Sequence, residues 1–371
     1  MSDRAAPLHV LLVATSLDIV GGQAVQAEYL RRGLEAEPGV RLDFLAINPR
    51  LPGPLQALQR IKYVRTLTTF VWFGLLLLWK APRADVLHVF AGSYWSFLLA
   101  PAPALLVARV LGKPSVLHFH DGRARHFLAT WRLAVPLVRL ADVIIAPSGY
   151  LVDVFGEFDV PARCIHNIVA LDDLEFRLRA RPEPRFLHNR GLEPLYDVET
   201  TLRAFRLVQD RFPDATLVVA NDGSARAGLE ALAAELGLRA TFVGMVPPER
   251  LASMYEDADV YIMSPTIDNM PGSILECYAT GVPIVSTDAG GVPYIVHQGR
   301  TGLLVPVGDV DALAAAALRI LEEPGLAERL TRAGQAELDQ YRWPPVRDAW
   351  LGLYGELTGR RVAATPAAAT S

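Results

Sequence analysis

Residues 264–293 have the sequence SPTIDNMPGSILECYATGVPIVSTDAGGVP. A β-rich run leads into this segment, and Asn269 followed by Pro271 is typical of a helix start, with the asparagine as N-cap and the proline in the first turn. The apolar run PIVSTD (283–288) then predicts another strand. A strand, a helix and a second strand in succession form a βαβ unit, which indicates a parallel sheet covered by helices.

The same alternation of apolar β-rich runs and helical patterns extends along the whole chain. Near-continuous apolar strands are typical of parallel sheets that carry helices on both faces. The fold class is therefore α/β, with two Rossmann-like domains. The predicted strands are 8–14, 42–47, 86–90, 114–119 and 142–147 in the first half, and 185–189, 215–220, 240–245, 259–264, 283–288 and 301–306 in the second half.

The length also favours two domains, because 371 residues exceed the roughly 250–300 residues at which a single core stops growing. The charged segment 169–185 contains two prolines and lacks an apolar period, so it predicts a linker. We place the first domain at 1–174 and the second at 175–341. The remaining residues predict a closing helix over 342–358, which has two prolines near its start, and a disordered tail over 359–371.

The composition bears on location and cofactors. The longest apolar run, 66–79, is shorter than the roughly 20 residues that a membrane-spanning helix needs, so we predict no transmembrane helix. The first residues lack the pattern of a signal peptide, which favours a cytoplasmic location. Cys164 and Cys277 have neither disulfide nor metal-ligand spacing. We expect no metal, no cofactor and no nucleic-acid partner.

Two candidate sites follow strands of the first half, where ligands of open α/β sheets bind. Gly21 and Gly22 precede an apparent helix, and glycines let backbone amides approach an anion there. The pair lacks the spacing of a dinucleotide site, and an ordinary tight turn is the alternative. In LHFHDGRARH (117–126) we favour a functional role for His120, as a hydrogen-bonding group, and a core role for His118. A solvated polar loop is the alternative.

The start of the helix predicted within 264–293 is the most specific candidate site. Unpaired amides around Gly272 and Ser273 form an anion site that would fit a diphosphate. Asp268 precedes this site and Glu276 follows it. Carboxylates accept hydrogen bonds from sugar and ribose hydroxyls, so the predicted ligand is both anionic and rich in hydroxyls.

A cation for the diphosphate is predicted at Arg190, directly after the first strand of the second half. The three lysines of the chain all lie in the first half, which leaves arginine as the cation available here. A surface arginine is the alternative. Asp257 and Asp259 form a D-x-D pattern, but they lead into a buried strand on which alternate side chains point apart, so we predict no metal there.

These motifs together make the chain resemble the retaining glycosyltransferases of family GT4 (group 1) over nearly its whole length. Asp268 and Glu276 match the ends of the family's E-x7-E motif, and 279–296 and 299–309 are similar to the family pattern. The resemblance implies the GT-B fold, in which two Rossmann-like domains face each other across a cleft and a C-terminal helix returns to the N-terminal domain. It also implies transfer of a sugar from a nucleotide-diphosphate-sugar donor to a hydroxyl acceptor, with retention of the anomeric configuration and without a metal.

The resemblance further implies a role for each site residue. Glu276 would bind the donor ribose, the amides at Gly272 and Ser273 would hold the diphosphate, and Asp268 would contact the transferred sugar. The donor-binding residues are then Gly21, Gly22, Arg190, Gly244, Met245, Val246, Asp268, Gly272, Ser273 and Glu276, of which 244–246 would contact the base through their backbone. The catalytic residues are His120, Arg190 and Asp268.

Two departures from the family pattern affect the site. The first carboxylate of the motif is Asp268, which has a shorter reach than glutamate. The family usually has a lysine shortly after its phosphate arginine, and here Tyr196 lies nearby. Donor affinity would then depend on Arg190 and the helix start. A sugar-nucleotide epimerase and a non-catalytic nucleotide-sugar-binding subunit are the alternative functions.

The acceptor is expected to contact the first domain. Residues 55–80 have apolar side chains near helical spacing, and Arg60, Lys62 and Arg65 lie in their first half. This pattern fits a helix lying on an anionic lipid surface, and it fits a pair of core helices with a basic exposed edge equally well. A sugar or lipid-linked acceptor and peripheral association with the cytoplasmic membrane are therefore hypotheses.

Overall fold

A computed structural model of the protein describes residues 6–16, 22–169 and 174–365. The chain divides into two compact units. The first unit consists of Met1–Ile168 and Tyr341–Ser371, and the second consists of Val169–Gln340.

Strands and helices alternate through both units. The strands are β1 (Leu8–Ala14), β2 (Val40–Ala46), β3 (Val86–Ala91), β4 (Ser115–Phe119), β5 (Val143–Ala146), β6 (Ala162–Cys164), β7 (Arg185–Asn189), β8 (Thr216–Ala220), β9 (Ala240–Gly244), β10 (Val260–Met263), β11 (Ile284–Thr287) and β12 (Leu303–Val305). The α-helices are α1 (Gly22–Glu35), α2 (Lys62–Lys80), α3 (Trp95–Leu99), α4 (Pro101–Val110), α5 (Ala124–Thr130), α6 (Ala134–Val138), α7 (Gly149–Gly156), α8 (Val198–Arg211), α9 (Arg226–Glu235), α10 (Pro248–Asp257), α11 (Gly272–Thr280), α12 (Val310–Glu322), α13 (Leu326–Ala336) and α14 (Trp343–Thr358).

The sheet of the first unit has the order β2-β1-β3-β4-β5-β6, and neighbouring strands are parallel. Every residue of β1 is buried, because its side chains enter apolar clusters on both faces of the sheet. Leu11 and Val13 belong to one cluster, while Val10 and Leu12 belong to the other. The continuous apolar run of this strand therefore follows from its central position.

The sheet of the second unit has the order β12-β11-β10-β7-β8-β9 and is also parallel. The strand order reverses between β7 and β10 in this sheet, and between β1 and β3 in the first sheet. Ligands of open α/β sheets bind at the carboxyl ends of the strands beside such reversal points. The loops after these four strands are therefore the expected positions of functional groups.

The predicted fold class is confirmed, with one strand missed. Each of the eleven predicted runs forms a strand, with ends that shift by a few residues. The missed strand, β6, is three residues long and lies at the sheet edge with two exposed residues, so it has no apolar pattern to detect.

Residues 359–365, the first part of the segment predicted as a disordered tail, make specific contacts with the first unit, while 366–371 lie outside the described residues. Arg360 donates a hydrogen bond to Asp85, and the amide of Thr365 donates to Glu37. The backbone of Ala363 packs so closely on Gly39 that a Cβ there would lie 2.2 Å from the Ala363 oxygen. These contacts pair polar groups that the composition of the segment does not reveal.

Helix α2 is longer than the apolar run suggested. Together with the following turn it spans Lys62–Arg83, 22 residues, and within the described chain it alone is long and apolar enough to cross a membrane by length and composition. The sequence prediction that no helix crosses a membrane considered only the apolar run 66–79. Phe73 and Leu77 are nevertheless buried in the core of the first unit, so one face of α2 packs against protein.

Helix α14 completes the core of the first unit, as predicted for a returning helix. Trp350 and Tyr354 are fully buried in the cluster that also holds Val10 and Leu12. The Tyr354 hydroxyl lies 2.7 Å from Nδ1 of His88, whose Nε2 lies 3.1 Å from Nδ1 of His118.

Burial lowers the pKa of five histidines in the described chain, His166 among them, and the other four are affected most. It lowers the pKa of His88 and His120 to about 3, that of His188 to about 4, and that of His118 well below its usual value. A buried imidazole loses the hydration that stabilises its cation, so these rings are neutral near neutral pH.

We predict that acid destabilises the protein well above the range in which carboxylates titrate. Below the unfolded pKa of about 6.5, the histidines of the unfolded chain bind protons that the folded histidines do not. The free energy of unfolding therefore decreases by about 1.4 kcal/mol for each histidine with every unit by which the pH is lowered. Denaturant unfolding at about pH 7.5 and about pH 5.5 measures this loss. Equal free energies of unfolding at the two pH values would contradict the prediction.

Candidate active site

Helix α11 begins without a side-chain cap at the reversal point of the second sheet. Its N-cap is Pro271, whose backbone is extended (φ −68°, ψ 117°) and which provides no capping hydrogen bond. The prediction that Asn269 is the N-cap was wrong, because this residue is buried two positions earlier in the loop that precedes the helix. The first-turn amides of Gly272 and Ser273 therefore remain available to an anion at the positive end of the helix.

Two glycines hold the loop that leads into α11. A Cβ at Gly290 would lie 2.3 Å from the oxygen of Asp268, and one at Gly291 would lie 1.8 Å from the oxygen of Asn269. The amide of Gly291 also donates to the Asp268 oxygen at 2.8 Å. Only residues without a side chain allow this approach, so Gly290 and Gly291 determine the position of Asp268.

Arg190 and Asp268 form an ion pair beside this helix start. Nη2 of Arg190 donates to Oδ2 of Asp268 at 2.5 Å, and both side chains are largely buried. The guanidinium also lies over the ring of Tyr196, 4.6 Å from its centre. Burial disfavours the charged form of Arg190, but the carboxylate of Asp268 outweighs it and raises the pKa of the guanidinium above its usual value. Tyr196, near the position of the family's usual lysine, thus contacts the arginine.

Glu276 lies at the end of a chain of hydrogen bonds. Asn221 donates to Asn189 at 2.7 Å, Asn189 donates to the Tyr255 hydroxyl at 3.0 Å, and that hydroxyl donates to Oε2 of Glu276 at 2.5 Å. Oε1 would lie 4.0 Å from a Cβ at Gly272, so it faces the helix start. Among the described residues, Oε1 accepts no hydrogen bond and no salt bridge engages Glu276, so this half-buried side chain keeps one oxygen for a ligand hydroxyl.

Opposing effects act on the charge of Glu276. Burial raises the pKa of its carboxyl, while the hydrogen bond from Tyr255 and the positive charge of Arg190 lower it, and burial is the larger effect. Tyr261 links the strand that precedes Arg190 to the helix start, because its hydroxyl lies 2.8 Å from Oγ of Ser273 and 3.4 Å from the oxygen of Asn189.

The C-terminal ends of α10 and α11 are joined by a buried arginine. Arg179 donates to the oxygens of Tyr255 at 2.6 Å and Ala258 at 3.0 Å, and also to the oxygen of Thr280. Burial lowers its pKa to about 10, and the helix-end carbonyls favour its charge. Part of the predicted linker therefore packs into the second unit and supports the helices that carry Tyr255 and Glu276.

The predicted base-binding segment lies farther along the same sheet edge. Gly244 ends β9, the edge strand, and Met245 and Val246 follow it. The carbonyl of Gly244 accepts from the amide of Asn221 at 2.8 Å. Because two strand spacings separate β9 from β7, the segment is about 10 Å from the end of β7.

The first unit carries the remaining predicted residues. Gly22 is the exposed first residue of α1, and Gly21 lies outside the described residues. His120 directly follows β4, and its amide donates to the oxygen of Ala91 at 3.0 Å. Its ring stacks on Phe90 at 4.9 Å, and His118 is buried beside it.

Sequence reasoning thus identified groups that meet in the second unit and missed their supports. Tyr255, Asn189 and Tyr261 orient the predicted residues, yet no motif marks them, because their roles depend on contacts between distant elements. Asp259 of the D-x-D pattern is paired with Arg177 at 2.9 Å and Arg185 at 2.7 Å.

The two parallel six-stranded sheets with flanking helices form the GT-B fold of glycosyltransferases. The sequence profile described as "Glycosyl transferases group 1" matches residues 174–337, and that described as "Glycosyltransferase Family 4" matches residues 20–173. The chain belongs to glycosyltransferase family 4.

Curated relatives agree with this assignment, and a solved structure shares the fold. Phosphatidyl-myo-inositol mannosyltransferase of Mycobacterium tuberculosis is 32% identical over 74% of this chain and 74% of its own length. A sulfoquinovosyl transferase of Arabidopsis thaliana is 25% identical over 70% of this chain, and the match spans 54% of that protein, about half its length. The structure of Anabaena Alr3699/HepE in complex with UDP-glucose has a TM-score of 0.75 at 18% identity, and the match covers 94% of this chain and 100% of that one.

We predict that Gly291→Ala displaces the loop before α11. The added Cβ has no room beside the Asn269 oxygen, so the variant should lose about 1–3 kcal/mol of stability and bind nucleotide more weakly. Gly228→Ala is the matched control, because it lies in α9 with nothing within 4 Å of the added carbon. Thermal unfolding with and without UDP measures both effects. Equal behaviour of the two variants would contradict the role of Gly291.

Proposed function

We propose that the protein transfers a sugar from a nucleotide-diphosphate-sugar to a hydroxyl acceptor, with retention and without a metal or cofactor. The observation that carries this proposal is the position of Arg190 beside the uncapped start of α11, with the open oxygen of Glu276 facing the same helix start. A ligand that has a diphosphate and adjacent hydroxyls matches all three groups.

In this proposal the diphosphate contacts the amides of Gly272 and Ser273 and shares Arg190 with Asp268. The arginine and the amides stabilise the negative charge that develops on the leaving phosphate. Asp268 accepts hydrogen bonds from the transferred sugar, and Glu276 accepts them from the ribose. The phosphate oxygen takes the proton of the attacking hydroxyl, so no protein nucleophile is required. The positive charge that stabilises the leaving group therefore comes from Arg190 and the helix amides.

The residues of the first unit have supporting roles in the proposal. His120 would meet the transferred sugar, and its pKa of about 3 makes it a neutral hydrogen-bonding group at pH 7. Gly22 would place a backbone amide toward the donor phosphate. The backbone of 244–246 would contact the base.

The donor proposed for a first test is a UDP-sugar, which the UDP-glucose complex of the Anabaena protein supports. The acceptor proposed is a sugar or a lipid-linked alcohol, which the name of the phosphatidyl-myo-inositol mannosyltransferase supports. Formation of an isomerised donor without acceptor would favour the epimerase instead. Donor binding without transfer to any acceptor would favour a non-catalytic subunit.

We further propose that α2 lies on an anionic membrane at the cytoplasmic face. Its exposed large apolar residues lie mostly three or four positions apart and form one face, which we call the α2 face: Tyr63, Leu67, Phe70, Val71, Leu75, Leu78 and Trp79. Residues 44–84 contain no acidic side chain and six cations, Arg50, Arg60, Lys62, Arg65, Lys80 and Arg83. Apolar side chains flanked by cations match a surface of anionic lipids.

The packing of α2 favours a helix that lies along the surface. Phe73 and Leu77 lie on a stripe of the helix that adjoins the α2 face, and they anchor α2 in the core of the first unit. A helix that crosses the bilayer would need to withdraw these side chains from that core, at a cost of a few kcal/mol. The acceptor could then be a lipid whose hydroxyl group lies at the same surface.

We predict that Arg190→Ala lowers kcat about 100- to 1000-fold with the fold intact, because it removes a cation that stabilises the leaving group. Arg203→Ala, an exposed arginine of α8 paired with Glu199, is the matched control. Release of UDP from UDP-glucose with an acceptor panel measures the rate, NMR of the product identifies its anomer, and EDTA tests the need for metal. Wild-type turnover by Arg190→Ala would refute the assignment.

We predict that the protein binds vesicles of phosphatidylglycerol and phosphatidylcholine more tightly than vesicles of phosphatidylcholine alone, and that salt weakens the binding. Leu67→Glu combined with Leu75→Glu places charge on the α2 face and should abolish it. Val110→Glu, at an exposed apolar residue of α4, should bind as the wild type does. Cosedimentation measures these differences, and binding by the double variant would contradict the proposed surface.

A further inference from the structure

Three loops of the first unit converge on Gly92, which follows β3 at the reversal point of the first sheet. A Cβ at this glycine would lie 3.2 Å from Oγ of Ser96, 3.9 Å from Oε1 of Gln23 and 4.0 Å from Oδ2 of Asp121. Gln23 belongs to the start of α1, and Asp121 follows His120 at the end of β4. This edge of the sheet is therefore where a ligand of the first unit is expected.

The loop after β3 is held in a conformation that non-glycine residues rarely adopt. Tyr94 has φ 62° and ψ −133°. Its hydroxyl lies 2.8 Å from Nδ1 of His126, its ring packs edge-on against Phe127 at 5.6 Å, and the guanidinium of Arg123 lies 5.4 Å from its centre. Strain of this kind persists only where surrounding contacts enforce it, and it is concentrated at functional sites.

The strained backbone of Tyr94 leaves the side chain of the next residue, Trp95, in solvent. Trp95 begins α3 and is 69% exposed. Its ring meets Trp131 edge-to-face, with centres 5.5 Å apart and planes at 83°. Trp131 in turn packs edge-to-face against Tyr94 at 5.7 Å. An exposed indole whose edge is supported by a second indole offers a flat apolar face to a ligand.

Polar groups adjoin this aromatic platform, which consists of Tyr94, Trp95 and Trp131. Ser93 is buried, and its hydroxyl has no hydrogen-bond partner in the described parts of the chain, which is unfavourable unless a ligand or water supplies one. Asp121 accepts from the amide of Ser93 at 3.3 Å and pairs with Arg123 at 3.0 Å. Because this pair is neutral overall, the surroundings favour an uncharged polar ligand.

We propose that the platform binds the ring of the acceptor, and that this ring is a pyranose or a cyclitol. Such a ring has C–H bonds on its face, which pack on an indole, and hydroxyls on its edge, which hydrogen-bond to polar groups. The proposal rests on the proposed sugar transfer and adds the acceptor class and the residue that selects it. Trp95 binds the acceptor and takes no part in donor binding.

Binding is tested by saturation-transfer NMR on the full chain with two probes, methyl α-D-glucopyranoside and myo-inositol. Irradiation of aromatic protons should transfer saturation to the ring C–H protons of at least one probe. The transfer should persist in Trp95→Phe and disappear in Trp95→Leu, which keeps apolar bulk but loses the aromatic face. No transfer to either probe in the wild type, or equal transfer in Trp95→Leu, overturns the proposal.

Kinetics with UDP-glucose separate this proposal from the proposed function. Trp95→Leu should raise the acceptor KM roughly two- to tenfold and leave stabilisation by UDP unchanged, while Val110→Ala, an exposed apolar residue of α4, should change neither. If UDP fails to stabilise the wild type, the proposed function fails. If UDP binds and sugar is transferred but Trp95→Leu keeps the wild-type KM, only the acceptor platform fails.

Discussion

The contact between two backbone segments, Gly290–Gly291 and Asp268–Asn269, determines the geometry of the proposed donor site. These segments follow neighbouring strands of the second sheet and approach so closely that neither glycine has room for a side chain. The contact sets the position from which α11 starts and the point at which the Asp268 carboxylate meets Arg190. An anion site made of backbone amides depends on such packing, because no side chain can readjust it.

The charged residues of the proposed site balance each other. Arg190 is largely buried, and a buried cation is unfavourable unless an anion accompanies it, a role that Asp268 fills. A diphosphate would offer the arginine a second anion and release the carboxylate for sugar hydroxyls. On the other side, the chain from Asn221 through Tyr255 holds Glu276 in place. The site thus needs little reorganisation before a donor enters, which favours fast stabilisation of the leaving group.

The sequence predicted the fold better than it predicted the supports of the site. Strands buried on both faces, such as β1, give long apolar runs, whereas the short exposed β6 gives none. The motif from Asp268 to Glu276 predicted residues that the structure brings together, because one loop and one helix carry both. Tyr255 escaped prediction since its partner lies 21 residues away on another helix. The prediction of Asn269 as the N-cap was wrong because packing on Gly291 buries that residue before the helix begins.

Helix α14 has a consequence for the order in which the chain acquires its structure. The second unit is continuous in sequence, so all of its strands emerge from the ribosome before residues 343–358 are made. Until then the pocket that Trp350 and Tyr354 fill stays open, and His88 lacks its hydroxyl partner. The first unit therefore begins to be translated before the second unit but completes its core only after it. Between these two events its exposed apolar surface is a target for chaperones.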